Sequence, residues 1–225
     1  MSEDRPWQKW NDDAIVANLK QDWDAESRKT QRTVLAFEVD DMTVLARNPE
    51  MRVVKLLEVG CGLGHDFEAV ALPRIGRSMA APLLYGGVDV TPKMVEACKT
   101  RFPGHAHRFA VGDVYDLAFG DRFFDIVYSA DVLIHLPDWN KALDELARVC
   151  RGTIVLKLAY VVEGETRVVK KQDGFMDVWF NVHWVVRALH ERGFPSILVH
   201  AVTPEESRDR SADLRQVFVA RRATR

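Results

Sequence analysis

Three glycines at alternate positions, Gly60, Gly62 and Gly64, follow a short apolar run and precede a segment with a helical pattern. Glycine lets the backbone turn tightly, and it lets a ligand lie against the main chain beside the N-terminus of a helix. A dinucleotide-binding fingerprint would place its third glycine at position 65, which is His65, and a phosphate-binding P-loop would end in Gly-Lys followed by Ser or Thr. The loop therefore favours a nucleoside ligand without phosphates.

Three acidic residues lie at the ends of the first three predicted strands, around this glycine loop: Glu58, Asp89 and Asp113. Ligands of open α/β sheets bind at the carboxyl ends of the strands. At such an edge, Asp89 can accept hydrogen bonds from both hydroxyls of a ribose, and Asp113 can accept one from an adenine amino group. Val90 and Val114, next to these acids, can sandwich the purine. Any one acid could equally be a solvated strand end, but three around one loop indicate a ligand site.

Short apolar runs alternate with helical segments from residue 53 onward. This alternation predicts right-handed crossovers and an α/β fold with a doubly wound, mainly parallel sheet of seven strands. The last two strands lie close together along the chain, so one of them can run antiparallel. Residues 161–179 show no clean period and are expected to be irregular. The seven predicted strands are residues 53–59, 83–90, 107–111, 123–129, 153–158, 197–202 and 217–220.

The N-terminal part of the chain has a different pattern. Apolar residues recur at helical spacing over residues 8–48, and Pro49 then breaks the chain. We expect two helices here, the first through Ala14 to Trp23 and the second from Ser27 towards Ala46. The sequence therefore predicts an N-terminal helical cap over residues 1–52 and a ligand-binding domain over residues 53–225.

The overall composition excludes several classes of protein. Of the 225 residues, 31 are Lys or Arg and 33 are Asp or Glu, and the net charge of −2 provides no field that would attract nucleic acid. No apolar stretch approaches the length of a membrane span, and the N-terminus lacks the pattern of a secretory signal. The three widely spaced cysteines, Cys61, Cys98 and Cys150, predict a reduced, cytoplasmic protein without a metal site.

Four segments resemble, in order and spacing, the motifs of class I S-adenosylmethionine-dependent methyltransferases. Residues 57–64 resemble the first motif, 87–94 the second, 112–119 the third and 124–136 the fourth. The similarity is greatest to the small-molecule branch that includes ubiquinone-type and natural-product methyltransferases. The resemblance implies a Rossmann-like methyltransferase fold, S-adenosyl-L-methionine as the cofactor and a small-molecule acceptor as the substrate.

The resemblance also implies a role for individual residues at the cofactor site. The three glycines would hold the methionine moiety, Glu58 its amino group, Asp89 the ribose and Asp113 the adenine. Cys61 would be a small packing residue beside the ligand. Ser129, in the fourth motif, completes the set of predicted cofactor-binding residues.

Two histidines are candidates for general bases. Methylation of a hydroxyl usually requires removal of its proton, whereas a neutral amine needs no strong base. His135 follows the fourth predicted strand by six positions, where the resemblance also places a histidine near the transferred methyl. His183 opens the helix after a segment rich in large side chains, residues 159–184. Both could equally be packing or capping residues.

The acceptor is less defined than the cofactor. We expect its pocket to form from the N-terminal helices, the loop after Ser129 and residues 159–184, whose large side chains favour an apolar or aromatic acceptor. The accepting atom is oxygen, nitrogen or carbon. The sequence leaves two alternatives open: a nucleic-acid or protein methyltransferase, which the missing basic patch and motifs disfavour, and a non-catalytic partner subunit that binds the cofactor.

Overall fold

The computed structural model describes residues 10–22, 28–45, 53–77, 81–170, 175–201 and 215–223. The helices are α1 (Asp13–Asp22), α2 (Lys29–Leu45), α3 (Pro92–Arg101), α4 (Trp139–Val149) and α5 (Val182–Glu191). The strands are β1 (Val54–Val59), β2 (Leu83–Asp89), β3 (Phe109–Val111), β4 (Phe124–Ala130), β5 (Cys150–Leu158), β6 (Val161–Val162), β7 (Arg167–Lys170), β8 (Met176–Asn181), β9 (Ser196–Ala201) and β10 (Gln216–Arg221). Shorter helical turns span Phe67–Ala71, Pro103–Arg108 and Leu133–His135.

Seven of these strands form one sheet in the order β3-β2-β1-β4-β5-β10-β9. The strands from β1 to β5 pair in parallel, and β10 runs antiparallel to both of its neighbours. The doubly wound, mainly parallel seven-stranded sheet that the sequence predicts is therefore confirmed, including an antiparallel strand near its end. The strand order reverses between β1 and β4, and such a switch point opens a crevice at the carboxyl ends of the strands.

The two faces of the sheet carry two separate apolar cores. Successive side chains of a strand point to opposite faces, so Leu57 and Val59 of β1 face α4 and α5, whereas Leu56 faces α2 and α3. Helix α4 begins at its cap Asp138, whose carboxylate accepts a hydrogen bond from the backbone N–H of Lys141 at 3.1 Å. Because helices cover both faces of the sheet, the sequences of the central strands are almost continuously apolar, which is typical of parallel sheets.

Helices α1 and α2 lie where the N-terminal pattern predicts them. Helix α2 buries Leu35 and Val39 in the same core as the sheet, and its buried Glu38 forms an ion pair with Arg221 of β10. Helix α2 thus packs directly on the sheet. The predicted boundary at residue 52, between a helical cap and a ligand-binding domain, therefore stays a proposal. None of the described helices combines the length and apolar character that crossing a membrane requires.

The expectation that residues 161–179 are irregular is wrong. They contribute to a second, three-stranded sheet in the order β6-β8-β7, in which β6 is parallel and β7 antiparallel to β8. All four side chains of β7 are exposed, so this strand shows no alternation between buried and exposed positions. Its pairing depends on backbone hydrogen bonds to β8, which a search for apolar periodicity does not detect.

Candidate active site

The glycine loop after β1 has left-handed backbone angles, which only glycine adopts easily. The φ angles of Gly60, Gly62 and Gly64 are 79°, 51° and 71°. The backbone N–H groups of residues 60 and 61 both donate to the carbonyl of Val88 in β2, at 2.8 and 3.0 Å. A Cβ atom on Gly60 would lie 2.1 Å from Cγ2 of Val132, in the loop after β4. The loop is therefore held between the ends of β2 and β4.

Asp89, the last residue of β2, is fixed against this loop. Its side chain is 8% exposed, and its two oxygens accept hydrogen bonds from the backbone N–H groups of Gly62 at 2.9 Å and Thr91 at 2.8 Å. Burial raises the pKa of Asp89, although the two N–H groups oppose that shift. Each carboxylate oxygen has a second lone pair, so Asp89 can accept further hydrogen bonds from a ligand.

Glu58 lies deeper at the same edge of the sheet. The residue is 5% exposed, and its carboxyl group accepts a hydrogen bond from the hydroxyl of Tyr85, on the adjacent β2, at 2.6 Å. Burial, and then the nearby Asp66, raise the pKa of Glu58 well above its ordinary value. Glu58 therefore keeps its proton more readily than a surface glutamate does.

Asp113 and the two predicted purine contacts lie at the next strand end. In the pairing of β2 with β3, Asp89 is opposite Val111, so Asp113 follows the neighbouring strand by two residues. Asp113 is exposed, and its carboxylate accepts a hydrogen bond from the backbone N–H of Tyr115 at 2.9 Å. Val114 is buried and Val90 is half-buried. The structure thus brings the three acids to one edge of the sheet.

Ser129 and Cys61 pack beneath this edge. The hydroxyl of Ser129 is fully buried and donates to the carbonyl of Val59 at 3.0 Å, which ties the ends of β4 and β1 together. Cys61 is buried next to Cys98, whose thiol donates to the carbonyl of Gly62 at 3.1 Å. Ser129 therefore holds the end of β1, where the glycine loop begins, and Cys98 holds the loop itself.

His135 ends the short helical turn after β4. Its Nδ1 lies 3.1 Å from the carbonyl oxygen of Met176 and 3.2 Å from Oδ1 of Asp177, both in β8. Two acceptors at Nδ1 favour the tautomer that is protonated there, which leaves the lone pair of Nε2 as a hydrogen-bond acceptor. The side chain of Asp177 is 4% exposed, so the β8 carboxylate fixes the imidazole from the protein side.

The ring of Trp10 packs against His135. The ring centroid of Trp10 lies 5.1 Å from that of His135 and 5.0 Å from that of Phe175. The N-terminal region, the loop after β4 and the start of β8 therefore meet at this histidine. His183 is exposed, and within the described ranges no hydrogen bond, ion pair or ring contact joins it to the other predicted site residues.

Sequence reasoning missed a buried ionic cluster next to Glu58. Asp66, after the glycine loop, accepts hydrogen bonds from Arg28 at 3.0 Å, Arg32 at 2.8 Å, Gln31 at 3.2 Å and Tyr128 at 2.7 Å. Burial disfavours its charge, but Arg28 and the hydrogen bonds from Tyr128 and Arg32 prevail and lower the pKa of Asp66. Arginines at helical spacing usually lie on the solvent-exposed face of a helix, so no local sequence pattern indicates this buried cluster.

His65, directly after the loop, predicts a pH dependence of folding. Burial, and then the positive charge of Arg101, lower its pKa to about 4, and Nη1 of Arg101 lies 3.2 Å from Nδ1. An unfolded histidine binds its proton below about pH 6.5, so the unfolded state holds more protons between about pH 6.5 and 4. The free energy of unfolding is therefore expected to fall as the pH falls through this range.

His65→Asn should remove this loss, about 1 kcal/mol after allowance for the partial exposure of the ring. Urea unfolding of both proteins at pH 7.5 and pH 5 measures it. The matched control is His107→Asn, at an exposed position. A wild-type protein and a His65→Asn variant with equal losses between the two pH values would contradict the assignment.

Comparison with known proteins finds similarity to methyltransferases over the middle of the chain. Residues 57–155 match the sequence model of the family described as "Methyltransferase domain". Magnesium-protoporphyrin O-methyltransferase of Rhodobacter capsulatus is 30% identical over 139 residues, which cover 60% of this chain and 54% of that enzyme. Ajmaline N-methyltransferase of Rauvolfia serpentina is 26% identical over 149 residues, which cover 59% of this chain and 49% of that enzyme. The chain spans about half the length of these curated relatives.

A solved structure supports the same assignment at the level of the fold. The crystal structure of magnesium protoporphyrin IX methyltransferase from Synechocystis PCC 6803 with bound SAH superimposes with a TM-score of 0.64 and 18% identity. The superposition covers 96% of this chain and 97% of that chain. The family model and the sheet topology agree: residues 57–155 are similar to a methyltransferase domain, and the chain has the fold of, and resembles, the class I S-adenosylmethionine-dependent methyltransferases.

Proposed function

We propose that this protein transfers the methyl group of S-adenosyl-L-methionine to an oxygen, nitrogen or carbon atom of a small, partly apolar or aromatic acceptor. The observation that carries the proposal is the glycine loop after β1, pinned to Asp89 and flanked by Glu58 and Asp113 at adjacent strand ends. This arrangement matches the three parts of the cofactor with residues of the right chemistry, and the methyltransferase family match supports it.

The residues at the sheet edge fit this cofactor. Asp89 would accept hydrogen bonds from the ribose hydroxyls, because its carboxylate is held in place yet retains free lone pairs. Asp113 would accept a hydrogen bond from the adenine amino group, with Val90 and Val114 on either side of the ring. Glu58 would lie beside the methionine moiety, at the end of β1. When bound, the cofactor supplies an electrophilic methyl group on a sulfonium, and the protein has to orient the acceptor and exclude water.

His135 is the residue we propose as general base. With Nδ1 facing β8, Nε2 can take the proton of an acceptor hydroxyl within hydrogen-bond reach. Asp177 is a positioning residue, because it contacts the imidazole and can stabilise the positive charge that forms on it. An amine acceptor would need less help from the base. His183 lacks comparable support, so His135 remains as the single candidate.

Aromatic rings of the N-terminal region and of residues 159–184 support an apolar or aromatic acceptor. Trp10 packs against both His135 and Phe175, and Tyr160 stacks on Trp179 with centroids 5.4 Å apart and an interplanar angle of 6°. Flat rings provide large contact areas and pack well against planar ligands. The acidic balance of the chain, −2 overall, disfavours a nucleic-acid substrate.

Calorimetry with S-adenosylhomocysteine tests the cofactor assignment. We expect one site with a dissociation constant in the micromolar range, whereas NAD, whose pyrophosphate the loop does not fit, should bind far more weakly. Incubation with methyl-labelled S-adenosylmethionine and a panel of phenols, carboxylic acids and alkaloid amines then tests transfer. A folded protein that binds no S-adenosylhomocysteine would refute the proposal, and one that binds it but labels no acceptor would favour the non-catalytic partner subunit.

A further inference from the structure

An arginine extends the aromatic stack of Tyr160 and Trp179. The central carbon of the Arg167 guanidinium lies 4.6 Å from the ring centroid of Trp179, which also stacks on Tyr160. Tyr160 follows the end of β5 by two residues, and β5 runs parallel to β4 and β1. These three side chains, the Arg167 stack, therefore begin at the edge of the main sheet that carries the glycine loop.

The Arg167 stack lies on the same face of the small sheet as the partner of His135. In the antiparallel pairing of β7 with β8, Arg167 is directly opposite Trp179, and opposite residues share a face. Alternate residues of one strand also share a face, so Asp177, which contacts His135, lies on this side. Val178, between them, is buried on the other side with α4 and α5. The guanidinium and the proposed base thus belong to one surface.

The charge of Arg167 is not compensated by the protein. Within the part of the chain that the structure describes, its guanidinium takes part in no ion pair or hydrogen bond, and its contact is the ring of Trp179. Glu163 and Glu165, just before β7, are exposed and form no ion pair with it. The carboxylate of Asp177 on the same face already faces His135. A positive charge therefore remains for a ligand on this surface.

Stacking gives this arginine the geometry of an oxyanion receptor. A guanidinium packed over an indole is restricted in its orientation, while its N–H groups point outward in its own plane. Two parallel N–H groups match the two oxygens of a carboxylate, which a lysine ammonium does not do. Asp177 and Trp179 are separated by about 7 Å along β8. A molecule with a hydroxyl at His135 and a carboxylate at Arg167 is thus of the size of one or two aromatic rings.

We propose that Arg167 binds a carboxylate of the methyl acceptor, which makes the substrate class a planar aromatic acid with a hydroxyl at its other end. The proposal rests on the proposed function and adds the charge of the acceptor to it. The aromatic rings of the Arg167 stack contact the planar part, and the carboxylate is bound without being methylated. Arg167 is then a specificity-determining residue, since it selects the anionic acceptor over a neutral one of equal shape.

Pairs of acids and their methyl esters test the role of Arg167. The probes are para-hydroxybenzoate, para-hydroxycinnamate and hydroxynaphthoate, each with its methyl ester, so that the three acids differ in length. The protein is first saturated with S-adenosylhomocysteine, and binding of each probe is then measured by calorimetry. At least one acid should bind about tenfold more tightly than its ester, because the ester loses a charge-assisted bidentate contact. Arg167→Met should reduce this preference to less than twofold by weakening the acid alone.

A matched control lies on the same strand. Lys170 is exposed and three residues from Arg167, so its side chain leaves β7 on the opposite face. Lys170→Met removes the same charge as Arg167→Met and should retain the tenfold preference. Arg167→Lys keeps the charge but loses the planar pair of donors, so it should show an intermediate preference. Thermal unfolding of all three variants confirms that they fold.

Each contrary outcome overturns the proposal in a recognisable way. A wild-type protein that binds none of the acids, or binds acids and esters equally, has no carboxylate site here. A preference that survives Arg167→Met would place the carboxylate elsewhere, and an equal loss in Lys170→Met would reflect only the net charge of the surface. All of these leave the proposed function intact, because saturation with S-adenosylhomocysteine is established first. Only a protein that does not bind S-adenosylhomocysteine would refute both.

Discussion

Asp89→Ala is expected to weaken the binding of S-adenosylhomocysteine at least tenfold. A carboxylate that accepts hydrogen bonds from both hydroxyls of a ribose contributes about 1.5–3 kcal/mol, and a tenfold change in affinity corresponds to about 1.4 kcal/mol. The substitution also removes the acceptor for the backbone N–H groups of Gly62 and Thr91, so the glycine loop loses its anchor to β2. Both effects act in the same direction.

Asp89→Asn separates these two effects. The amide keeps the shape of the side chain and one acceptor oxygen, so it can satisfy one of the two N–H groups, but it brings a donor towards the other. We expect its loss of affinity to lie between those of the wild-type protein and Asp89→Ala. Calorimetry measures the affinities, and circular dichroism confirms folding. Asp121→Ala, at an exposed acid paired with Arg148, is the control. A loss of less than twofold in folded Asp89→Ala would refute the assignment to the ribose.

The arrangement of the three acids and the glycine loop at one edge of the sheet could be predicted from the sequence because its signals are local. Glu58, Asp89 and Asp113 each lie at or just after the end of a short apolar run, so their positions at strand ends follow from the pattern alone. Parallel pairing then brings neighbouring strand ends to one edge. The glycines at alternate positions specify the loop for the same reason, since their φ angles belong to the chain segment itself.

The partner of His135 could not be predicted in this way. The hydrogen bond from His135 to the carbonyl of Met176 spans 41 residues, and Asp177 reaches the imidazole only because β8 forms a sheet with β6 and β7. That sheet includes a strand exposed at all four positions, without apolar alternation. A contact between two segments whose own patterns are weak depends on tertiary packing, which a single sequence does not display.

The burial of charged residues could not be predicted from the sequence for a related reason. Lys157 lies near the end of a predicted strand, and Arg28 and Arg32 lie in the segment from Ser27 that is predicted to be helical, where arginine is usually solvated. Charged side chains are rarely buried unless they are paired. Their partners, Asp131 and Asp66, are 26 to 38 residues away along the chain, so the pairing is visible only in three dimensions.

His135→Ala is expected to lower turnover on a hydroxyl acceptor about 100-fold and to leave the affinity for S-adenosylhomocysteine unchanged. General-base catalysis typically contributes 10²–10⁴-fold in rate, and an imidazole fixed at Nδ1 by β8 presents Nε2 for that role. Because the histidine would act on the acceptor, its loss should affect kcat and spare the proposed cofactor site on the glycine loop and the strand ends.

The pH dependence distinguishes a base from a packing residue. A neutral imidazole can take a proton and an imidazolium cannot, so the wild-type rate should rise with pH if His135 is the base. His135→Ala should lose this rise together with its rate. Asp177→Asn, which keeps an acceptor for Nδ1 but removes the charge, should lower turnover less than His135→Ala does, because Asp177 acts only through the imidazole. If His135→Ala keeps more than about a third of the wild-type turnover, with an unaltered pH profile, His135 is a packing residue and the acceptor needs no base from this loop.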